Sequence, residues 1–130
     1  MRLPRREPQW LKNWKGRNAE EAVAEHLRRA GYRIVQRNWR HRIGEIDLIA
    51  ARDDVLVFVE VKARRDESFG SGAEAVSATK RKRLAGLAQL YLRSLREQPQ
   101  ACRFDIAEVG LDAAGFVRSI RLIENAFSGE

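Results

Sequence analysis

The sequence predicts a single α/β domain, a β-sheet with helices packed on it, in the order helix, strand, strand, strand, helix, strand, strand. Three observations carry this. Two segments repeat apolar residues at helical spacing between start and stop signals, and five are rich in β-branched and aromatic residues. At 130 residues the chain is long enough for one proper core and short for two.

In chain order, residues 1–15 form a basic N-terminal arm with two prolines. Its Trp10 and Trp14, one helical turn apart, are expected to dock as a short amphipathic segment on the domain that occupies 16–130. "NAEEAVAEHLRRAG" is a helix, with Asn18 as N-cap, Glu21 completing a capping box and Gly31 just past the end. Its stripe is Ala19, Ala22, Val23, Leu27 and Ala30. At about 100° per residue, Glu21 and Glu25 point away from that stripe, and Glu20 sits at its border. "YRIVQRNWR", "IGEIDLIAA" and "VLVFVEVKA" are three strands with short links, hence an antiparallel meander. Residues 66–79 read as a mobile loop between the third strand and the second helix. "KRKRLAGLAQLYLRSLR" is that helix, capped by Ser77 or Thr79, with Leu84, Leu87, Ala88, Tyr91 and Leu95 on one stripe. "CRFDIAEVG" and "GFVRSIRLI", joined through "LDAA", close the chain as a strand pair.

Composition narrows the function. No apolar run approaches the roughly 20 residues of a membrane-spanning helix, and no secretory segment follows Met1, so a cytoplasmic protein is expected and a membrane partner is not. The single Cys102 allows no internal disulfide, and His26 and His41 do not make a zinc set. The formal charge of +7 is concentrated as arginine-rich clusters in the arm, in 28–42 and in 80–96, which points to nucleic acid.

The chemistry lies in "GEIDLIAARDDVLVFVEVKAR". Alternation along a strand puts Glu45 and Asp47 on one face, opposite Ile46, Leu48 and Ala50. In the next strand Glu60 and Lys62 share a face, opposite Val57, Val59 and Val61. Whether the two acidic faces coincide depends on register, which sequence leaves open. By itself Glu60–Lys62 fits an ordinary surface ion pair. Clustered carboxylates repel each other unless a cation sits among them, and hard oxygen donors suit Mg²⁺ or Mn²⁺. Such a site hydrolyses phosphodiesters, with Lys62 positioning the nucleophile or steadying developing charge.

Around it lie predicted phosphate contacts. Lys80, Arg81, Lys82 and Arg83 open the second helix, where cations oppose the dipole unless an anion is bound. Arg37, Arg40 and Arg42 flank Trp39, itself expected in the core, and Arg64 follows the Glu-x-Lys pair. Asp105 in "RFDI" is expected to pair with Arg103.

"GRNAEEAVAEHLRRAGYRIVQRNWRHRIGEIDLIA", "VFVEVKAR", "FGSGAEAV" and "RFDI" together resemble the YraN-like family of small bacterial proteins, predicted endonucleases distantly similar to archaeal Holliday junction resolvases. The resemblance spans roughly residues 16–123. It implies a restriction-endonuclease-like fold with a central mixed sheet and a PD-(D/E)XK type site. Catalytic residues by position are Glu20, Asp47, Glu60 and Lys62, with Glu20, Asp47 and Glu60 around Mg²⁺ or Mn²⁺. The motif's proline is replaced by Ile46, and Glu45 has no assigned role. The implied activity is a metal-dependent DNA endonuclease acting on branched or single-strand-containing recombination and repair intermediates, as a homodimer if two strands are cut. The competing expectation is a non-catalytic module that delivers DNA to a helicase.

Overall fold

The computed structural model describes residues 14–65 and 77–127. Most of the arm, with Trp10, and most of the predicted loop, with "FGSGAEAV", lie outside them.

Helix α1, Ala19–Arg29, buries most of the predicted stripe: Ala30 is exposed at the C-cap, beyond the helix's last turn, whereas Ala22, Val23 and Leu27 have no exposed surface. Burying a leucine to that extent contributes on the order of 2 kcal/mol. The helix ends as expected. Gly31 adopts φ 93°, and the Gly31 and Tyr32 N–H groups donate to the Arg28 and Leu27 carbonyls at 3.0 and 2.9 Å. The start differs from expectation. A 3₁₀ turn, Gly16–Asn18, runs straight into α1, so Asn18 makes no side-chain cap. Glu21 is therefore no capping-box partner and instead ion-pairs with Arg37.

Strands β1 (Arg33–His41), β2 (Gly44–Arg52) and β3 (Val55–Arg64) make the antiparallel meander. Helix α2, Ala78–Arg93, is started by Ser77, whose Oγ accepts the Lys80 N–H at 3.2 Å. It stops earlier than its sequence pattern implied: the Ser94 hydroxyl donates to the Tyr91 carbonyl at 2.6 Å, and Leu95 packs on the core from beyond the helix. Strands β4 (Ala101–Leu111) and β5 (Val117–Phe127) complete the sheet. Its order is β1-β2-β3-β4-β5, parallel only between β3 and β4. This five-stranded mixed sheet with a helix on each face has the restriction-endonuclease-like arrangement.

The sheet separates two cores. Val23 and Leu27 of α1 meet Leu48, Val57, Val59 and Val109 on one side. Leu84, Leu87 and Tyr91 of α2 meet Ile46, Phe58 and Ile106 on the other. Strand β3 is apolar on both faces from Leu56 to Val59 because helices cover both. Trp14 packs against the α1 core and Trp39 against the α2 core, as expected. Asp105 is buried, takes bidentate hydrogen bonds from Arg103, and accepts the Asn125 N–H at 2.9 Å. Arg103 also reaches the Tyr32 hydroxyl.

One parity expectation fails. Ile46 lies with the α2 core, whereas Leu48 and Ala50 lie with the α1 core. Strict alternation is broken where Asn38, at φ 47°, stands between the pairs Arg37–Leu48 and Trp39–Ile46. A left-handed residue turns the β1–β2 ribbon there.

Candidate functional site

The break in alternation coincides with a split in the sheet. Pairing of β2 with β3 runs from Arg52–Val55 to Leu48–Val59. Beyond it Gly44, Glu45 and Ile46 stay with β1, and Glu60 to Arg64 stay with β4. The Asp47 carboxylate takes over from the backbone there, accepting the Val61 N–H at 2.9 Å. Asp47 thus stands in the fork between the two strands, where the N-terminal ends of α1 and α2 both arrive.

From α1 comes Glu20, the one acid of that helix at the border of the apolar stripe. Its side chain meets Asn38 and Asp47. Oxygens of Glu20, Glu45 and Asp47 all lie within 4.8 Å of one another. The charge density shows in the protonation of Asp47 and Glu20. Asp47 is pushed up to about 7, first by burial and then by Glu60, Glu20 and Glu45, against the pull of the Val61 N–H. Glu20 is also raised, by burial and by Glu45 and Glu60.

Glu60 is buried on the α2 side of the fork and is held differently. Its Oε1 ion-pairs with Lys80 of α2 and lies 3.7 Å from the Lys62 Nζ. Lys80 is raised: burial works against its charge, but Glu60 and Asp47 outweigh it. Lys62 is lowered, chiefly by contact with the Lys80 ammonium and by burial. Two ammonium groups share one carboxylate, and Lys62 is the one that more readily gives up its proton. A pocket of about 240 Å³ opens here, lined by Glu45, Asp47, Glu60, Lys80 and Arg83 among others.

Of the predicted metal ligands, the compact oxygen set therefore contains Glu20 and Asp47, with Glu45 where Glu60 was expected. Glu60 stands beside the set, ion-paired with Lys80 and Lys62. The parity of Glu45 with Asp47 is the sequence signal for its place in the set; it also pairs with Arg40 at 2.9 Å. The predicted phosphate contacts divide as well. Lys80, Arg37 and Arg40 have carboxylate partners in Glu60, Glu21 and Glu45. Arg42, Lys82 and Arg64 are exposed, as is Arg83, while Arg81 is half-buried on the same first turns of α2.

The donor set fits a divalent cation. All donors are carboxylate oxygens, half-buried and within 4.8 Å of one another, hard oxygen chemistry of the kind that divalent cations such as Mg²⁺ take.

The sequence pattern of UPF0102, an uncharacterised protein family, matches residues 19–109. The chain belongs to the UPF0102 family. This is the YraN-like group whose motifs the chain carries. A UPF0102 protein of Symbiobacterium thermophilum is 54% identical over 112 residues, covering 86% of this chain and 94% of that one. One from Gloeobacter violaceus is 48% identical over 113 residues, covering 85% and 90%. One from Pelotomaculum thermopropionicum is 44% identical over 112 residues, covering 86% and 93%. Among solved structures, SfsA of Pyrococcus furiosus in complex with Ca²⁺ aligns over 84% of this chain and 60% of that one, at 13% identity and a TM-score of 0.36. No helix among the described residues of this UPF0102 protein is long and apolar enough to cross a membrane.

Proposed function

We propose that this UPF0102 protein is a Mg²⁺- or Mn²⁺-dependent DNA endonuclease acting on branched or single-strand-containing intermediates. The observation that carries the reading is the convergence of Glu20, Glu45 and Asp47 within 4.8 Å at a fork that also holds Glu60 and Lys62. Glu20, Asp47 and Glu45 would hold the cation, which when bound polarises a phosphodiester and acidifies a water. Asp47, whose carboxyl is pushed up to about 7 by burial and neighbouring carboxylates, would have to be ionised to hold the cation. Lys62, tethered to Glu60 and with its proton affinity lowered, orients the attacking water and is placed to take or return its proton. The basic residues of α2 draw the DNA backbone towards the acids, which alone would repel it.

One observation favours the second reading, a binding module that hands DNA to a helicase: Glu60 already has two lysine partners and needs no metal to offset its charge. A cleavage panel separates the two. Single-stranded, duplex, flap and four-way DNA are incubated with Mg²⁺, Mn²⁺ or EDTA, with Asp47→Asn and Lys62→Ala as controls. Metal-dependent cutting lost in both folded variants supports the nuclease; tight, steeply salt-dependent binding with no cutting of any substrate leaves the module.

A further inference from the structure

Helix α2 comes unusually close to β2 at Gly44. A Cβ on Gly44 would lie 3.0 Å from Arg83 Cδ and 3.3 Å from Leu87 Cδ1, and the residue has φ 153°. The aliphatic stem of Arg83 therefore rests on bare glycine backbone, and the side chain lines the pocket beside Glu45, Asp47 and Glu60. On one helical face, Lys80 and Arg83 have been given different situations. Lys80 is committed to Glu60. Arg83 has no ion pair or hydrogen bond among the described residues.

We propose that Arg83 is the residue that grips the DNA phosphate facing the carboxylate pocket, and that Gly44 is the positioning residue that seats it. The proposal rests on the nuclease reading and assigns its phosphate subsite. A guanidinium fits the role because its planar fork holds two phosphate oxygens at once, which an ammonium cannot do. Its seat matters because the pocket is acidic: a loosely tethered arginine would fold onto Glu45 or Asp47. Contact along its stem with Gly44 keeps the fork at the rim, where a phosphate can lie between it and the acids. In sequence Arg83 is one of four consecutive cations, Lys80 to Arg83; its packing on Gly44 sets it apart.

The test is the affinity of the full chain for a fluorescent four-way DNA junction, in EDTA and in Ca²⁺. Variants are Arg83→Ala, Arg83→Lys, Gly44→Ala and, as an equal loss of charge, Arg93→Ala at the far end of α2 and exposed. Arg83→Ala should weaken binding at least tenfold and lower the slope of log affinity against log salt by about one. Arg83→Lys should recover only a small part, and Gly44→Ala should weaken binding several-fold with the arginine still present. Arg93→Ala should stay within threefold. The rise in Tm produced by Mn²⁺ should persist in Arg83→Ala, which shows that the fold and the carboxylates are intact. Equal losses in the Arg83 and Arg93 variants, or loss of the Mn²⁺ response in Arg83→Ala, overturn the proposal. Failure of the wild type to cut DNA would count against the nuclease reading and leave this comparison standing.

Discussion

Replacing Asp47 with asparagine should stabilise the metal-free protein at pH 8. The substitution keeps the shape of the side chain, its acceptor for the Val61 N–H and a donor towards Glu20, and removes one charge from the fork. The gap between an ordinary aspartate at 3.8 and Asp47 at about 7, at 1.36 kcal/mol per pH unit, caps the cost of its ionised form at about 4 kcal/mol. The side chain is partly exposed and the repulsion is shared with Glu20, Glu45 and Glu60, so roughly half of that should be recovered on deletion. About 2 kcal/mol corresponds to a Tm rise of roughly 5–10 °C for a domain of this size. The sign with pH comes from proton counting: between 3.8 and about 7 the folded state holds a proton that the unfolded chain has released. Wild-type stability therefore falls as pH rises through that window. The advantage of Asp47→Asn should be absent below pH 4, grow from there, and be complete above pH 7. Thermal melts in EDTA from pH 4 to 8.5 read this directly, and saturating Mn²⁺ should reverse the order. A variant no more stable than wild type at pH 8, with parallel pH profiles, would refute the claim that the fork carries uncompensated negative charge.

The same geometry sets three other outcomes. Mn²⁺ affinity, measured by calorimetry, should rise with pH up to an inflection near 7, because the proton on Asp47 competes with the ion; a flat profile from pH 5.5 to 8 would contradict this. Lys80→Ala removes one of the two cations on Glu60 and should tighten Mn²⁺ binding about threefold to tenfold, roughly 1 kcal/mol; unchanged affinity would mean that Glu60 does not act on the site. Asp105→Ala leaves Arg103 without its bidentate carboxylate and should cost about 3–5 kcal/mol in denaturant melts. Its Mn²⁺ response should persist at temperatures where the variant stays folded.

The order of elements, the α1 stop at Gly31, a hydroxyl cap on α2 at Ser77 or Thr79 and the inward faces of β3 were legible because each depends on local chemistry: glycine's tolerance of positive φ, a hydroxyl at a helix start, and side-chain alternation. Glu20 was legible for a related reason, since the helical angle alone sets it apart from Glu21 and Glu25. The role of Glu21 was not legible because its partner, Arg37, belongs to another element. The end of α2 was not legible because the sequence pattern continues to Leu95, which is half-buried on the core without being helical.

Sequence by itself determined that Glu45, Asp47, Glu60 and Lys62 would sit two apart on neighbouring strands, because a strand's period is two. Only the tertiary structure decided how those pairs meet. The β1–β2 ribbon turns at Asn38 and the β2–β3 ladder ends at Leu48–Val59. Asp47 consequently faces Glu20 and Glu45, while Glu60 faces the lysines. Register and strand separation are settled by packing of both helices against the sheet, and no residue's own preference encodes that.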